Sequence, residues 1–399
     1  MYRKAREGRS QGGHVMNRTC RIVLRTVAGT SLVALGLAVA CTSRRGVEPE
    51  PAGYNIYVGL RQWEGEEEIN RLYAIDADSL TIVDSMPLSP TALGVSPDGE
   101  WLYVEEGPDE AYGPFSLSKV DLRSKEVVWA ILPWFARVSQ NVAILNGGSV
   151  LLGTVYDLCA LAVISAADGA EVFRIDGLCR FGDALISSTK IPYIVKGEGA
   201  GLVGDSIVRA VDVVTGQASG KYVGELPDGR AFEWTYNASL HPDGHKVLVL
   251  GGAGVSESGF AVGDLETGET LLSHSLYTAY GEIAISADGT LAVVSDPGPP
   301  GMWNTPPTLD VFDLAGMCHL KRFDTGSGIF RFSFGQIRFL PDDRTVVIAP
   351  ASAGRGEVGP LHIIDLQAMI VTDTIVLPHS YPETGDWPLI GALGVGPRP

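Results

Sequence analysis

The chain has 399 residues, of which 45% are hydrophobic, and it contains 49 glycines and 24 prolines. Residues 1–40 hold seven of the 30 basic side chains and one of the 47 acidic ones, so the remainder carries 23 against 46, a charge of −23. Such an acidic body repels phosphate backbones and argues against a nucleic-acid partner, while the glycine and proline content favours many short elements joined by turns.

The N-terminal segment has the features of an export signal. Three arginines precede an apolar run over 27–40 that is too short to span a membrane comfortably. The run ends in LAVAC, which resembles the lipobox of bacterial lipoproteins, although the leucine lies one position further from the cysteine than that pattern asks. We predict a signal peptide over 1–40, with Met16 as an alternative start, and a lipidated Cys41. An ordinary cleaved signal is the alternative.

Residues 41–52 are polar and contain proline, which suits a tether between a lipid anchor and a folded body. Each methylene of an acyl chain that is buried in the bilayer contributes roughly 0.8 kcal/mol to the free energy of membrane binding. We therefore predict an exported lipoprotein held at a membrane of the bacterial cell envelope, on its periplasmic or surface side. Export also permits disulfides, and Cys159 and Cys179 flank a predicted hairpin, so a bond between them is a further hypothesis. The sequence contains no CxxC pair or Cys/His cluster, so no metal site is predicted.

Two phrases recur through residues 53–399. One is a hairpin around an Asp–Gly turn, as in SPDGEWLYV at 96–104, HPDGHKVLVL at 241–250 and SADGTLAVVS at 286–295. The other is an alternating strand, a polar turn and a second strand. Its turns open at seven positions: Asp76, Asp121, Ser165, Asp212, Asp264, Asp313 and Asp365. Two hairpins in each repeat predict a unit of four strands, which is the size of one β-propeller blade.

The two ends of the chain predict how the repeats join. LIGALGVGPRP at 389–399 mirrors the strand before an Asp–Gly turn, and GYNIYVGL at 53–60 mirrors the strand after one. We therefore predict an all-β fold over 53–399, a seven-bladed β-propeller of four-stranded antiparallel blades. The N-terminal strands would complete the C-terminal blade and close the ring.

The repeats also carry a family resemblance. SPDGEWLYVEEG, followed by LSKVDLRSKEVV, resembles the YVTN-type propeller repeats of bacterial surface and exported proteins, which are related to lactonase-like and WD40-like propellers. The resemblance implies the fold. It says little about function, because these motifs are turns and core positions.

The motifs that could carry chemistry favour structural roles. Asp–Gly in these turns serves the backbone, since glycine tolerates positive φ and aspartate bonds its own turn. GAGLVG at 199–204 matches a dinucleotide-binding pattern, but a strand and not a helix is predicted after it. No cofactor is predicted.

The predicted inter-blade loops are long and hold 13 of the 32 aromatic residues, with arginines among them. Loops held by a rigid scaffold often carry recognition residues, of which Trp, Tyr and Arg are typical. The predicted binding face comprises Trp134, Arg137, Arg180, Phe181, Arg230, Trp234, Tyr236, Tyr280, Glu282, Arg331, Gln336 and Trp387. About half of the aromatics are expected to pack between blades instead.

These features favour a binding or scaffold protein of the cell envelope whose partner is a protein, a peptide, a glycan or an anionic group met by the arginines. The alternative is a lactonase-like hydrolase with acid and base side chains near the central channel. Asp183, Glu233, Glu282 and His379 lie in suitable loops for that role. The sequence does not assign a catalytic residue.

Overall fold

The described part of the chain is built from antiparallel β-strands. The structure is a computed structural model and describes residues 53–64, 67–88, 90–107, 115–134, 143–145, 150–155, 160–175, 181–186, 192–196, 207–211, 218–253, 257–276, 281–296, 308–324, 336–349, 360–378 and 389–399. All regular elements in these ranges are strands, and no helix there is long and apolar enough to cross a membrane. The predicted signal peptide, tether and Cys159–Cys179 pair lie outside the described residues.

Within these ranges the strands form seven four-stranded antiparallel sheets, which we number I to VII. Sheet I contains β1 (Tyr54–Glu64), β2 (Glu67–Asp76), β3 (Thr81–Met86) and the C-terminal β28 (Leu389–Pro397). Sheet II contains β4 (Pro90–Val95), β5 (Trp101–Glu106), β6 (Phe115–Asp121) and β7 (Val127–Trp134). Sheet III contains β8 (Ala143–Leu145), β9 (Val150–Val155), β10 (Ala160–Ser165) and β11 (Glu171–Ile175).

The remaining sheets follow the same order along the chain. Sheet IV contains β12 (Phe181–Ile186), β13 (Pro192–Lys196), β14 (Val208–Val211) and β15 (Ala218–Tyr222). Sheet V contains β16 (Trp234–Leu240), β17 (Lys246–Gly252), β18 (Ser258–Asp264) and β19 (Thr270–Leu276). Sheet VI contains β20 (Ile283–Ile285), β21 (Leu291–Asp296), β22 (Thr308–Asp313) and β23 (Cys318–Asp324). Sheet VII contains β24 (Gln336–Phe339), β25 (Thr345–Ala349), β26 (Leu361–Asp365) and β27 (Ile370–Ile375).

The two ends of the chain meet in sheet I. Its strand order is β28-β1-β2-β3, so the last strand of the chain occupies the position that β4 holds in sheet II. Val58 of β1 lies opposite Leu393 of β28, and the pairing extends from Tyr54–Pro397 to Arg61–Leu389. The predicted pairing between the N-terminal and C-terminal segments is confirmed.

The turns of the second phrase adopt the predicted conformation. The carboxylate of Asp264, for example, accepts hydrogen bonds from the backbone N–H groups of Glu266 and Thr267 at 2.7 and 2.9 Å. Equivalent bonds form at Asp76, Asp121, Asp313 and Asp365, while Ser165 accepts one such bond and Asp212 lies outside the described residues. These residues are turn formers, as predicted.

Four of these turns place a non-glycine residue at positive φ. Leu80, Lys125, Met317 and Met369 lie four residues after the turn-opening aspartate, with φ between 47° and 63°. The left-handed conformation costs an L-residue roughly 1–2 kcal/mol, so the surrounding hairpin must enforce it. Gly268 takes this position in sheet V, with φ of 76°, without that cost.

The hydrophobic core lies between neighbouring sheets, because both faces of most middle strands are buried. Apolar clusters join sheets I and II, II and III, IV and V, V and VI, and VI and VII. A further cluster joins VII to I, with Leu393 packed among side chains such as Val58, Val347 and Ile363. The backbone of β12 lies beside β8 and β9, which places sheets III and IV side by side.

Candidate functional site

The two ends of the sheets differ in their connections. The turns between the first and second strands, and between the third and fourth, lie at one end, which we call the turn face. The connections between second and third strands, and from one sheet to the next, lie at the other end, which we call the loop face. The predicted binding residues that the structure describes lie at or near the loop face.

Carboxylates on the turn face are engaged by their own turns. Asp288 accepts hydrogen bonds from the Ser286 hydroxyl at 2.7 Å and from the Thr290 N–H at 2.9 Å, and these bonds hold its pKa below the ordinary value. Gly99, Gly244 and Gly289 in the Asp–Gly turns have φ of 73°, 74° and 73°. This confirms that aspartate and glycine are present here for backbone geometry.

Buried polar side chains occur at strand ends of the loop face. Eight of them lie at or next to the end of a strand on this face: Glu105, Thr235, Ser258, Glu282, Asp296, Thr308, Gln336 and His362. Burial of polar groups is costly unless they are hydrogen-bonded, so these positions require specific partners.

Glu282 shows such partners most clearly. It immediately precedes β20, is only 2% exposed, and its carboxylate accepts a hydrogen bond from the backbone N–H of Ile337 in β24 at 2.5 Å. The guanidinium of Arg338 lies 3.4 Å from the same carboxylate. Burial raises the pKa of Glu282, and the Arg338 charge and the Ile337 hydrogen bond oppose that rise. The side chain therefore ties the start of the first strand of sheet VI to the first strand of sheet VII.

A cleft of about 360 Å³ opens on the loop face of sheet V. Its lining comprises Leu226, Pro227, Asp228, Arg230, Glu257, Ser258, Ser275 and Leu276. Arg230 is half exposed and lies between two carboxylates, bonding Asp228 at 2.6 Å and also Glu257. One cation between two anions gives the cleft a net negative charge, with two serine hydroxyls nearby.

Two of the predicted aromatic residues are placed differently from the expectation. Trp234 and Tyr236 belong to strand β16 and not to a loop, because the pairing with β17 already begins at Trp234–Gly252. Aromatic residues favour extended, half-buried strand positions, and both rings pack against the apolar cluster between sheets V and VI. Gly252 allows this packing, since a β-carbon there would lie 2.8 Å from the Trp234 ring.

Other predicted residues also begin or end strands. Trp134 ends β7, Phe181 begins β12 and Gln336 begins β24, where its side chain is buried. Glu282 and Arg230 lie in connections, as predicted. Five further members of the predicted face lie outside the described residues: Arg137, Arg180, Tyr280, Arg331 and Trp387.

The structure also brings together residues that sequence reasoning missed. His274 of β19, Asp310 of β22 and His319 of β23 place one ligand-capable atom each within 4.8 Å of one another. The sequence separates them by 36 and nine residues and shows no metal-binding motif. One feature of the sequence marks the cluster: Asp310 lies in the middle of a strand, three residues before the turn-opening Asp313. Other repeats have Tyr73, Ser118, Ala261 and His362 at this position.

Comparison with known proteins gives similarity in structure alone. No family model matches the chain, and no curated protein sequence matches it. A putative 6-phosphogluconolactonase from Bacteroides fragilis is 12% identical, with a TM-score of 0.58 over 86% of this chain and 98% of that one. A functionally unknown protein from Desulfotomaculum acetoxidans is 15% identical, with a TM-score of 0.57 over 86% and 100%.

A third similar structure is the β-propeller domain of Swd1 from Myceliophteria thermophila. It is 12% identical, with a TM-score of 0.53 over 73% of this chain and 87% of that one. These likenesses, together with the four-stranded antiparallel sheets, identify the fold as a β-propeller. At such low identity they show the fold alone, because one fold serves many functions.

Proposed function

We propose that this protein is an exported, lipid-anchored, seven-bladed β-propeller that binds a partner through its loop face. Cys41 would carry the lipid and residues 42–52 would separate the propeller from the membrane of the bacterial cell envelope. The partner would be a protein, a peptide or a glycan of that envelope.

A closed ring is supported by the contacts between sheets. The apolar cluster between sheets VII and I is continuous with β28, whose residues pair with β1. Ala392 of the same strand packs in the cluster between sheets I and II, so one strand contributes to the interfaces on both of its sides. Such radial packing protects sheet edges without a covalent link between the ends.

The observation that carries the binding proposal is the contrast between the two faces. On the turn face, the carboxylates of Asp264 and Asp288 accept hydrogen bonds from backbone N–H groups of their own turns. The loop face instead presents the cleft beside Arg230, where charged and hydroxyl groups line an opening large enough for a small ligand segment.

The chemistry of the cleft indicates what it would accept. Arg230 is already paired with Asp228 and Glu257, so a simple anion would have to displace or repel a carboxylate. Peptide amides and sugar hydroxyls can donate to these carboxylates and accept from Arg230 or from the serines. The cleft therefore suits a neutral polar segment better than a phosphate or sulfate.

Site-specific photo-crosslinking in the native envelope tests the proposal. A photoreactive residue is placed at Ser275, which is exposed in the cleft, and in a second protein at Thr267, which is exposed on the turn face of the same sheet. We expect a crosslinked partner from position 275 and none from position 267. Equal crosslinking from both positions, or from neither, would contradict the assignment of the loop face.

A matched pair of arginine substitutions sharpens the same experiment. Arg230→Ala should reduce crosslinking from position 275 at least tenfold. Arg344→Ala should leave it unchanged, because Arg344 has a similar exposure and pairs with Asp365 on the turn face. If both substitutions act alike, the effect is a general loss of stability and the binding role of Arg230 is wrong.

A lactonase-like hydrolase is the alternative, and the similarity to a putative 6-phosphogluconolactonase motivates its test. Of the four candidate acids and bases, Asp183 lies in β12, Glu233 is exposed and His379 lies outside the described residues. The carboxylate of Glu282 is held by Ile337 and Arg338 in a bond between sheets. Turnover of a panel of lactones by the purified protein, lost in Glu282→Gln while folding is retained, would favour the hydrolase.

A further inference from the structure

A cluster of two histidines, an aspartate and an arginine lies between the outer strands of sheets V and VI. His274 belongs to β19 of sheet V, whereas Asp310, His319 and Arg322 belong to β22 and β23 of sheet VI. This cluster is independent of the cleft beside Arg230 and of the binding function proposed above.

The ligand-capable atoms of this cluster converge on one point. The Oδ1 atom of Asp310 lies 2.7 Å from Nε2 of His319 and 3.9 Å from Nε2 of His274. Tetrahedral zinc with ligands at about 2.0–2.1 Å requires ligand atoms about 3.3 Å apart. Small side-chain rotations, opening one distance and closing the other by about 0.6 Å, would bring both distances from Asp310 to that value, and all three ligand atoms already lie within 4.8 Å of one another.

The packing beneath the cluster orients both imidazole rings. The rings of His274 and His319 are stacked, with centroids 4.5 Å apart and an angle of 16° between their planes. Both rings contact the buried ring of Phe312 edge-on, with distances between ring centroids of 5.3 Å for His274 and 5.1 Å for His319. The wall behind the site is therefore apolar and rigid, while the two histidine side chains are 27% and 29% exposed on the solvent side.

The charges in the cluster also suit a cation. The side chain of Asp310 is completely buried, and Arg322 donates to both of its oxygens, to Oδ2 through Nη2 at 2.9 Å and to Oδ1 through Nε at 3.0 Å. A carboxylate can bind a metal through one oxygen while the other is held by an outer-shell partner. An ion on Oδ1 would replace the Nε–H bond to that atom and leave Arg322 bonded to Oδ2. Nε2 of His274 is buried and makes no hydrogen bond to any residue that the structure describes.

We propose that His274, Asp310 and His319 bind a divalent transition-metal ion, with zinc as the first choice. Two imidazoles and one carboxylate favour zinc and its neighbours over calcium or magnesium, which prefer oxygen ligands. Three protein ligands leave a position open toward solvent, where water or a ligand could bind. Because the ligands come from two sheets, the ion would also tie sheet V to sheet VI.

Zinc binding to the full-length protein tests this site. The chain is stripped with a chelator and titrated with zinc chloride by calorimetry, in the presence of excess magnesium. We expect one ion per chain and an increase in the melting temperature, since an ion that binds the folded state stabilises it. Binding should weaken as the pH is lowered, because protons compete for the imidazoles.

Three glutamine variants separate the site from unspecific binding. His274→Gln and His319→Gln should each weaken zinc binding at least tenfold and abolish the rise in melting temperature. His245→Gln should bind as the unmodified chain does, because His245 is an exposed histidine on the turn face of sheet V that pairs with Glu266. The site is refuted if the unmodified chain binds no zinc, or if loss of His245 matters as much as loss of His274.

The visible spectrum of a cobalt(II) complex supplies a second measurement that does not depend on the stability of the variants. The unmodified chain should show absorption bands of a four- or five-coordinate cobalt ion. These bands should disappear in the folded double variant His274→Gln/His319→Gln. Their persistence in that variant would place the ion elsewhere and overturn the proposal.

Discussion

Replacing Leu393 by alanine would test how the last strand of the chain holds the first and last sheets together. Leu393 is fully buried in β28, lies opposite Val58 in β1, and packs in the cluster shared by sheets VII and I. Its neighbour Ala392 faces the other way, into the cluster between sheets I and II. The substitution therefore removes side-chain packing from the interface between sheets VII and I and leaves the backbone pairing of β28 with β1 intact.

The size of the effect follows from the buried side chain. Leu→Ala removes three buried carbon groups, and at roughly 0.8 kcal/mol each this lowers the free energy of unfolding by about 2.4 kcal/mol. The cavity that remains raises the expected loss to about 3–4 kcal/mol. Leu320→Ala is a matched control, because Leu320 is 48% exposed on the outer strand β23 and should change stability by less than about 0.5 kcal/mol.

The assay is urea unfolding followed by tryptophan fluorescence, with the free energy of unfolding obtained by linear extrapolation. Leu393→Ala should shift the midpoint to lower urea with an unchanged slope. A loss no larger than that of Leu320→Ala would show that β28 does not complete sheet I. The explanation of how the chain ends meet would then be wrong.

Two further predictions concern charged groups buried between sheets. Lys119→Met should lower the free energy of unfolding in urea by about 1–3 kcal/mol, because Lys119 donates to the Ala166 carbonyl at 2.9 Å across sheets II and III and lies 3.9 Å from the Trp101 ring centroid. The control Lys125→Met removes an exposed ion pair and should lower it by less than about 1 kcal/mol. Equal losses in the two variants would contradict this reasoning. Burial raises the pKa of Glu282 above the ordinary glutamate value near 4.5. As the pH rises above that value, the unfolded chain releases this proton while the folded chain still holds it, so the free energy of unfolding falls. Glu282→Gln does not titrate, so its stability relative to the unmodified chain should improve from pH 4.5 upward; parallel pH profiles of the two proteins would be the contrary result.

Much of the candidate site could be placed from sequence, but its contacts could not. The long connections and their arginines indicated the loop face, and Arg230 and Glu282 do lie there. Their partners were not predictable, because Glu257 approaches Arg230 from the position just before β18 and Ile337 approaches Glu282 from the next sheet. Trp234 was expected in a long inter-blade loop, whereas it begins β16 and its ring packs between sheets, as was expected for about half of these aromatic residues.

The strands, their turns and the meeting of the chain ends were determined by the sequence itself. Alternation of apolar residues and the bonding of aspartate to its own turn act over a few residues, so HPDGHKVLVL specifies a hairpin wherever it occurs. The tertiary structure alone decided which polar side chains meet across neighbouring sheets. Both faces of a middle strand are buried, so alternation cannot tell which neighbour a side chain will face, and only the packing of sheet V against sheet VI brings His274 to Asp310 and His319.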